Sequence, residues 1–144
     1  MSYFTIERVT DFDAVGWLPL LSKSEREGYN FIERMLRLRR TETFQGNGEA
    51  MFVAVLPAGQ VIGCGGYSKQ TGMDGTGRVR HLYVIPEARG TGTGSALLKK
   101  ITDEAFLTYD RITLYTDDAA HFYEELGFKP VEGYPKVTHI KEKN

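Results

Sequence analysis

Arg89-Gly90-Thr91-Gly92-Thr93-Gly94 is the stretch whose reading decides the fold. It lies between an apolar, strand-like run (His81 to Ile85) and an amphipathic, helix-like run (Ser95 to Leu107). A glycine-rich turn that opens a helix points several backbone N–H groups at one place. The positive end of the helix dipole adds to them, so such a turn suits phosphate oxygens. Glycine lets a diphosphate come close to the backbone, because no side chain stands in the way. The turn is not a nucleoside-triphosphate loop, since no Lys-Ser or Lys-Thr follows Gly94. It also fails as a dinucleotide fingerprint: Ser95 stands where the third glycine belongs, and no βαβ unit opens the chain.

Upstream, Tyr3 to Val9 alternates as a short strand with Phe4 and Ile6 on one face. Asp11 or Asp13 is a candidate cap for a helix through Leu21, interrupted by Gly16 and Pro19. Ser24 and Glu27 have capping-box spacing, which predicts a helix carrying Phe31, Ile32, Met35 and Leu36 to about Thr43. Met51 to Leu56 and Gln60 to Ser68 flank Pro57-Ala58-Gly59 as a hairpin, and Arg78 to Ile85 is a strand stopped by Pro86. Downstream, a helix from Ser95 to about Tyr109 presents Leu97, Leu98, Ile101, Ala105 and Phe106 to a core. Arg111 to Tyr115 is a strand. Ala119 to Leu126 is a helix with Asp117 or Asp118 as N-cap and Gly127 at its end, and Val131 and Val137 to Ile140 finish the sheet. This order predicts an α/β (α+β) fold: a mixed sheet of six to seven strands with helices on both faces.

A chain of 144 residues without an interdomain linker reads as a single domain, 1–144, able to bury a core. The net charge of −1 gives no case for nucleic acid or a membrane surface. The arginines at 34, 37, 39 and 40 read first as a solvated helix face. Cys64 is the only cysteine, so no disulfide forms within the chain, and its setting in Val-Ile-Gly-Cys-Gly-Gly reads as core. No apolar stretch approaches the roughly 20 residues of a membrane helix, and no signal-peptide pattern opens the sequence; a cytoplasmic location is the expectation. Three histidines and one cysteine without ligand spacing predict no metal site.

Two segments together carry a resemblance. Leu82 to Pro86, then Arg89 to Gly94, then Ala96-Leu97-Leu98 resemble the signature of the GNAT family of N-acyltransferases, with Arg89, Gly92 and Gly94 filling its Arg/Gln-x-x-Gly-x-Gly/Ala pattern. Leu114 to Phe128, with Ala119, Phe122, Tyr123, Gly127 and Phe128, resembles the family's second segment. The resemblance implies a mixed, mostly antiparallel sheet of six to seven strands, acetyl-CoA as co-substrate and a small-molecule or peptide amine as acceptor. The amides of Arg89, Gly90, Thr91, Gly92, Thr93 and Gly94 would cradle its pyrophosphate. The strand Leu82, Tyr83 and Val84 would hold the pantetheine arm through backbone hydrogen bonds, chiefly at Val84. Tyr123 would be the catalytic acid that protonates the leaving thiolate. A homodimer is an expectation by family analogy alone.

The sequence departs from the family in two places. Many relatives carry a glutamate base early in the strand before the glycine turn; here that position is Arg78, which is no base. His81, His121 and a water relayed by backbone carbonyls stay open as routes for the proton. Where many relatives have an asparagine contacting pantetheine, this chain has Thr116 to Asp118. Tyr123 has plain core packing as its other reading; the aromatics Trp17, Tyr29 and Phe31 read first as core and second as the lining of an apolar acceptor pocket. The alternative to an enzyme is a non-catalytic acyl-CoA sensor; ATP binding at the turn is a third.

Overall fold

The computed structural model describes residues 3–144. Seven strands form one sheet: β1 (Thr5–Arg8), β2 (Ala50–Val55), β3 (Val61–Lys69), β4 (Thr76–Val84), β5 (Arg111–Leu114), β6 (Lys129–Pro130) and β7 (His139–Glu142). Their order across the sheet is β1-β2-β3-β4-β5-β7-β6, and among these neighbours only β4 and β5 run parallel. The helices are α1 (Leu18–Arg26), α2 (Phe31–Arg37), α3 (Thr93–Ala105) and α4 (Ala120–Glu125).

β2 is buried from Ala50 to Ala54 and β3 from Val61 to Tyr67, which is why both read as continuous apolar runs. A Cβ added at Gly63 would meet Leu97, and one at Gly65 would meet Leu82 and Ile101, so α3 covers this face. Tyr83, one residue from Leu82 and Val84, packs on Phe31 and therefore faces the other layer, with α1 and α2.

The N-terminal helices differ from the sequence expectation. Asp11 accepts the Asp13 amide at 3.0 Å but caps only a 3-10 turn, Phe12–Ala14. α1 starts at Leu18 with Pro19 in its first turn, where a missing N–H costs nothing. Ser24 is no N-cap. It is buried inside α1, its hydroxyl donating to the Leu21 carbonyl at 3.1 Å. Gly28, at φ +89, takes the left-handed conformation that ends α1, and α2 starts afresh at Phe31 and stops at Arg37.

α3 is shifted to Thr93–Ala105, two residues earlier than expected at its start. Neither Asp117 nor Asp118 caps α4: the Thr116 hydroxyl accepts the Ala119 amide at 2.9 Å. Gly127 closes α4 as expected, with φ +95. At the far edge β6 has only two residues, and β7 lies at His139–Glu142 rather than Val137 to Ile140.

Candidate active site

β4 and β5 lie side by side only over Thr76↔Arg111, Gly77↔Ile112 and Arg78↔Thr113. Beyond that Leu114 pairs with His139 of β7, while β4 continues to Val84 against β3. The β3–β4 register shifts between Cys64 and Gly66, with an extra residue on β4. His81 lies in this bulge at φ +56, rare for a non-glycine residue. A bulge increases the local twist, and β4 and β5 pair no further than Arg78 and Thr113, which leaves a fork in the sheet. The Ile85 amide bonds Ile62 of β3 at 3.0 Å. Strand alternation then turns the amide and carbonyl of Val84 toward the fork.

The glycine turn stands at the far end of that arm. Gly90 and Gly92 have φ +77 and +88, and nothing lies within 4 Å of a Cβ built on either. Gly92 is the N-cap of α3, and the first backbone bond of the helix runs from the Ala96 amide to Gly92 at 3.0 Å. The amides of Thr93, Gly94 and Ser95 thus have no intrahelical partner. The Thr91 hydroxyl donates to the Ala88 carbonyl and sits 2.8 Å from that of Thr93, so both hydroxyls serve the turn itself. What the turn offers outward is backbone N–H groups with open space before them, which fits a diphosphate.

The Arg89 side chain looks elsewhere. Its guanidinium pairs with both oxygens of Glu27 at 2.8 and 2.7 Å, and its Nε donates to the Val84 carbonyl at 3.1 Å. It also lies over the Tyr83 ring. Arg89 and the Tyr83 hydroxyl hold the Glu27 carboxyl below its ordinary pKa. Burial, then the bond to Glu27, pushes the Tyr83 phenol up.

Tyr123 is buried beside Phe122 and Phe128, and among the described residues its hydroxyl has no hydrogen-bond partner. Burial, and second the charge of Asp118, raises its pKa, so the phenol keeps its proton at neutral pH. Asp118 itself accepts the Tyr29 hydroxyl at 2.5 Å, joining the α1–α2 loop to the loop before α4. Tyr29, Phe31 and Tyr83 form an aromatic cluster with ring centroids 5.4 to 6.3 Å apart. Trp17 is separate: it stacks on Phe12 and donates to the Phe12 carbonyl, a core role. Glu27 and Asp118 escaped the sequence reading because both looked like helix caps; their partners lie 62 and 89 residues away.

Arg78 bonds Gln70 and the Lys136 carbonyl, which fixes it at the base of the fork as a cation. His81 is held down to about 4 by burial first and by Arg80 and Arg34 next, so its imidazole is neutral at pH 7. Its Nε2 is buried without a partner. His121 pairs with Glu125 on the exposed side of α4. Cys64 is buried, its thiol pushed up to about 12 by burial, and it donates to the His81 carbonyl. No group of three metal-ligating side chains occurs among the described residues.

The acetyltransferase (GNAT) domain model matches residues 47–130, more than half of the chain and the whole of the fork and turn. The chain belongs to the GNAT acetyltransferase family. A crystal structure of an Exiguobacterium sp. 255-15 protein assigned as an acetyltransferase is 58% identical, with TM-score 0.95, covering 97% of this chain and 93% of that one. A GNAT acetyltransferase from Elizabethkingia anophelis, solved with acetyl-CoA bound, shares the fold at TM-score 0.67 and 16% identity, over 97% and 98% of the two chains. An IAA acetyltransferase of Azospirillum brasilense is 41% identical over 54 residues, which span 38% of this chain and only 35% of that protein. As a family member this GNAT acetyltransferase is an acyltransferase. No helix among the described residues is long and apolar enough to cross a membrane.

Proposed function

We propose that this GNAT acetyltransferase moves an acetyl group from acetyl-CoA to a primary amine by direct attack, with residues 1–144 acting as one catalytic domain. The observation that carries the reading is the fork. One arm ends in the outward-facing backbone of Val84, and that arm leads directly to a turn of free amides.

In this reading the amides of Gly90 to Gly94 hold the pyrophosphate, whereas that of Arg89, expected to join them, donates to the Pro86 carbonyl at 3.2 Å. The backbone of Leu82, Tyr83 and Val84 aligns the pantetheine arm as an added strand would. A thioester supplies an activated acyl carbon, so the protein's work is orientation and charge stabilisation rather than a covalent intermediate. The acceptor enters on the α1–α2 side, between the aromatic cluster and the strand ends. Overall, the C–N bond forms and the C–S bond breaks; of the two protons the ammonium nitrogen loses, the one shed on attack goes to sulfur and the one shed beforehand goes to solvent. Removing that proton at pH 7 costs about 4–5 kcal/mol for an amine of pKa near 10.4. Arg78 is no base, and the imidazole of His81, held down to about 4, is too weak a one. Water passing the proton along the fork's carbonyls takes that role. Tyr123, protonated across the neutral range, is the acid for the leaving sulfur.

Calorimetric titration with acetyl-CoA, CoA and ATP–Mg²⁺, followed by a screen of amines for CoA release, tests this. Micromolar acetyl-CoA binding with ATP silent, and amine-dependent CoA release, is the expected result. Binding without turnover on any amine would move the protein to a sensor role.

A further inference from the structure

The face of β4 that turns toward α1 and α2 carries more charge than the transfer reaction explains. Leu82 and Val84 face α3, and a Cβ at Gly77 would meet the Tyr109 ring in the segment that follows α3. Alternation, with the one-residue bulge, puts Arg78, Arg80, His81 and Tyr83 on the opposite face. The packing agrees. His81 lies edge-on to Phe44 at 5.7 Å, and Tyr83 meets Phe31 at 6.0 Å.

Arg8, Arg37, Arg39, Arg40 and Arg89 each have a carboxylate within 4.0 Å. Arg34, Arg78 and Arg80 have none among the described residues. These three also differ from Arg26 and Arg111, which are unpaired too, because they crowd one another's surroundings. Burial and then Arg80 lower the pKa of Arg78, while Arg80 and Arg34 both act on His81. Glu42 and Glu49 line a hollow beside Arg80, but neither comes within 4.0 Å of it. Among the described residues, the two buried side-chain nitrogens without a hydrogen-bond partner are Arg80 Nε and His81 Nε2, neighbours in this cluster. Crowded cations and orphaned buried nitrogens are unfavourable unless an anion completes them.

We propose that Arg80, His81 and Arg34 form an oxyanion-binding subsite for the acceptor, so that the acceptor is a small amine that also bears a carboxylate or phosphate. The proposal rests on the acyl-transfer reading of the fork. Arg80 is two residues from Leu82, about 7 Å along a strand, so the oxyanion and the attacking amine belong to one short molecule. Both groups of that molecule then reach their sites together: the anion on the cationic face, the amine at the fork. Arg80 is a positioning and specificity residue here, not a catalytic one.

The test reads His81 directly. Its imidazole signals, assigned with His121→Gln and His139→Gln, are followed by NMR while the protein is titrated with β-alanine, β-alaninamide, phosphoethanolamine and ethanolamine. Runs with and without acetyl-CoA separate this proposal from the cofactor reading, because oxyanion binding is visible even if acetyl-CoA fails to bind. A shift with β-alanine or phosphoethanolamine, absent with the amide and with ethanolamine, is expected; whichever anion responds names the group. Arg80→Gln should weaken that response by roughly tenfold, Arg80→Lys by less, and the exposed Arg34→Gln by an intermediate factor. With a turned-over acceptor, Arg80→Gln should raise its KM while leaving kcat and acetyl-CoA affinity within about threefold. Equal responses to charged and amide probes, no response at tens of millimolar, or full binding in both Arg80→Gln and Arg34→Gln would overturn the proposal.

Discussion

Glu27 and Arg89 face each other through two parallel hydrogen bonds of 2.8 and 2.7 Å, joining the end of α1 to the first residue of the glycine turn. The pair places one negative charge beside the turn proposed to hold a diphosphate, and it ties down the cation best placed to help. Arg89 is 47% exposed at its side chain, so solvent screening keeps the pair's contribution to stability small. Glu27→Gln should therefore change stability by less than about 1 kcal/mol. Acetyl-CoA affinity should rise by roughly two- to fivefold at low salt, and the gain should shrink as salt is added. Calorimetry at two ionic strengths checks both statements. Weaker binding in the variant would mean that Glu27 is needed to shape the site.

Tyr123 tests the chemistry rather than the binding. Its phenol is buried and unpartnered among the described residues, and its pKa is raised, so it stays protonated through the neutral range. Tyr123→Phe should lower kcat by about 10²-fold, the lower end for general-acid catalysis, with the acetyl-CoA dissociation constant unchanged. Because the phenol holds its proton beyond pH 10, the wild type should show no alkaline decline in kcat attributable to it. Undiminished turnover in the variant would remove Tyr123 from the mechanism.

Gly92 separates conformation from charge. It sits at φ +88 with nothing within 4 Å of a Cβ, so any loss on substitution comes from the left-handed backbone or from the new group, never from a clash. Asparagine tolerates that conformation better than most residues. Gly92→Asn should cost about 1 kcal/mol in stability and bind acetyl-CoA moderately less well, whereas Gly92→Asp should lose at least roughly tenfold more affinity than the asparagine variant. Comparable affinity in the two variants would put the pyrophosphate elsewhere.

The parts of the molecule legible in the sequence are those written locally. The turn of Arg89 to Gly94 announced itself through its glycines, and α3 through its spacing of Leu97, Leu98, Ile101 and Ala105. The order of strands and helices, and with it a mixed sheet covered on both faces, followed from such signals, whereas its mostly antiparallel character followed from the family resemblance. Ser24 misled because a serine three residues before a glutamate looks the same whether it starts a helix or lies buried within one. The bulge at His81 leaves no compositional mark, since its cause is the register between β3 and β4. Tyr29 with Asp118, and Glu27 with Arg89, meet only because the fold brings distant loops together.

His81 makes the protein's stability respond to acid in a way that one substitution should remove. Its pKa is about 4 in the folded protein against 6.5 when unperturbed. As pH falls below 6.5 the unfolded chain takes up a proton that the folded protein refuses, so stability drops between pH 6.5 and about 4. At neutral pH both states carry neutral imidazole, and the effect vanishes. Between pH 7 and about 4.5 this loss amounts to about 2 kcal/mol, on top of what the carboxylates contribute. Asparagine accepts the +56° backbone at this position without a titrating group. His81→Asn should be the less stable protein at pH 7, where it lacks the contact with Phe44, and should recover about 2 kcal/mol relative to wild type at about pH 4.5. Urea unfolding of both proteins at the two pH values measures the difference. A constant gap would mean that His81 is protonated in the folded state well above pH 4, and that an anion already lies against it.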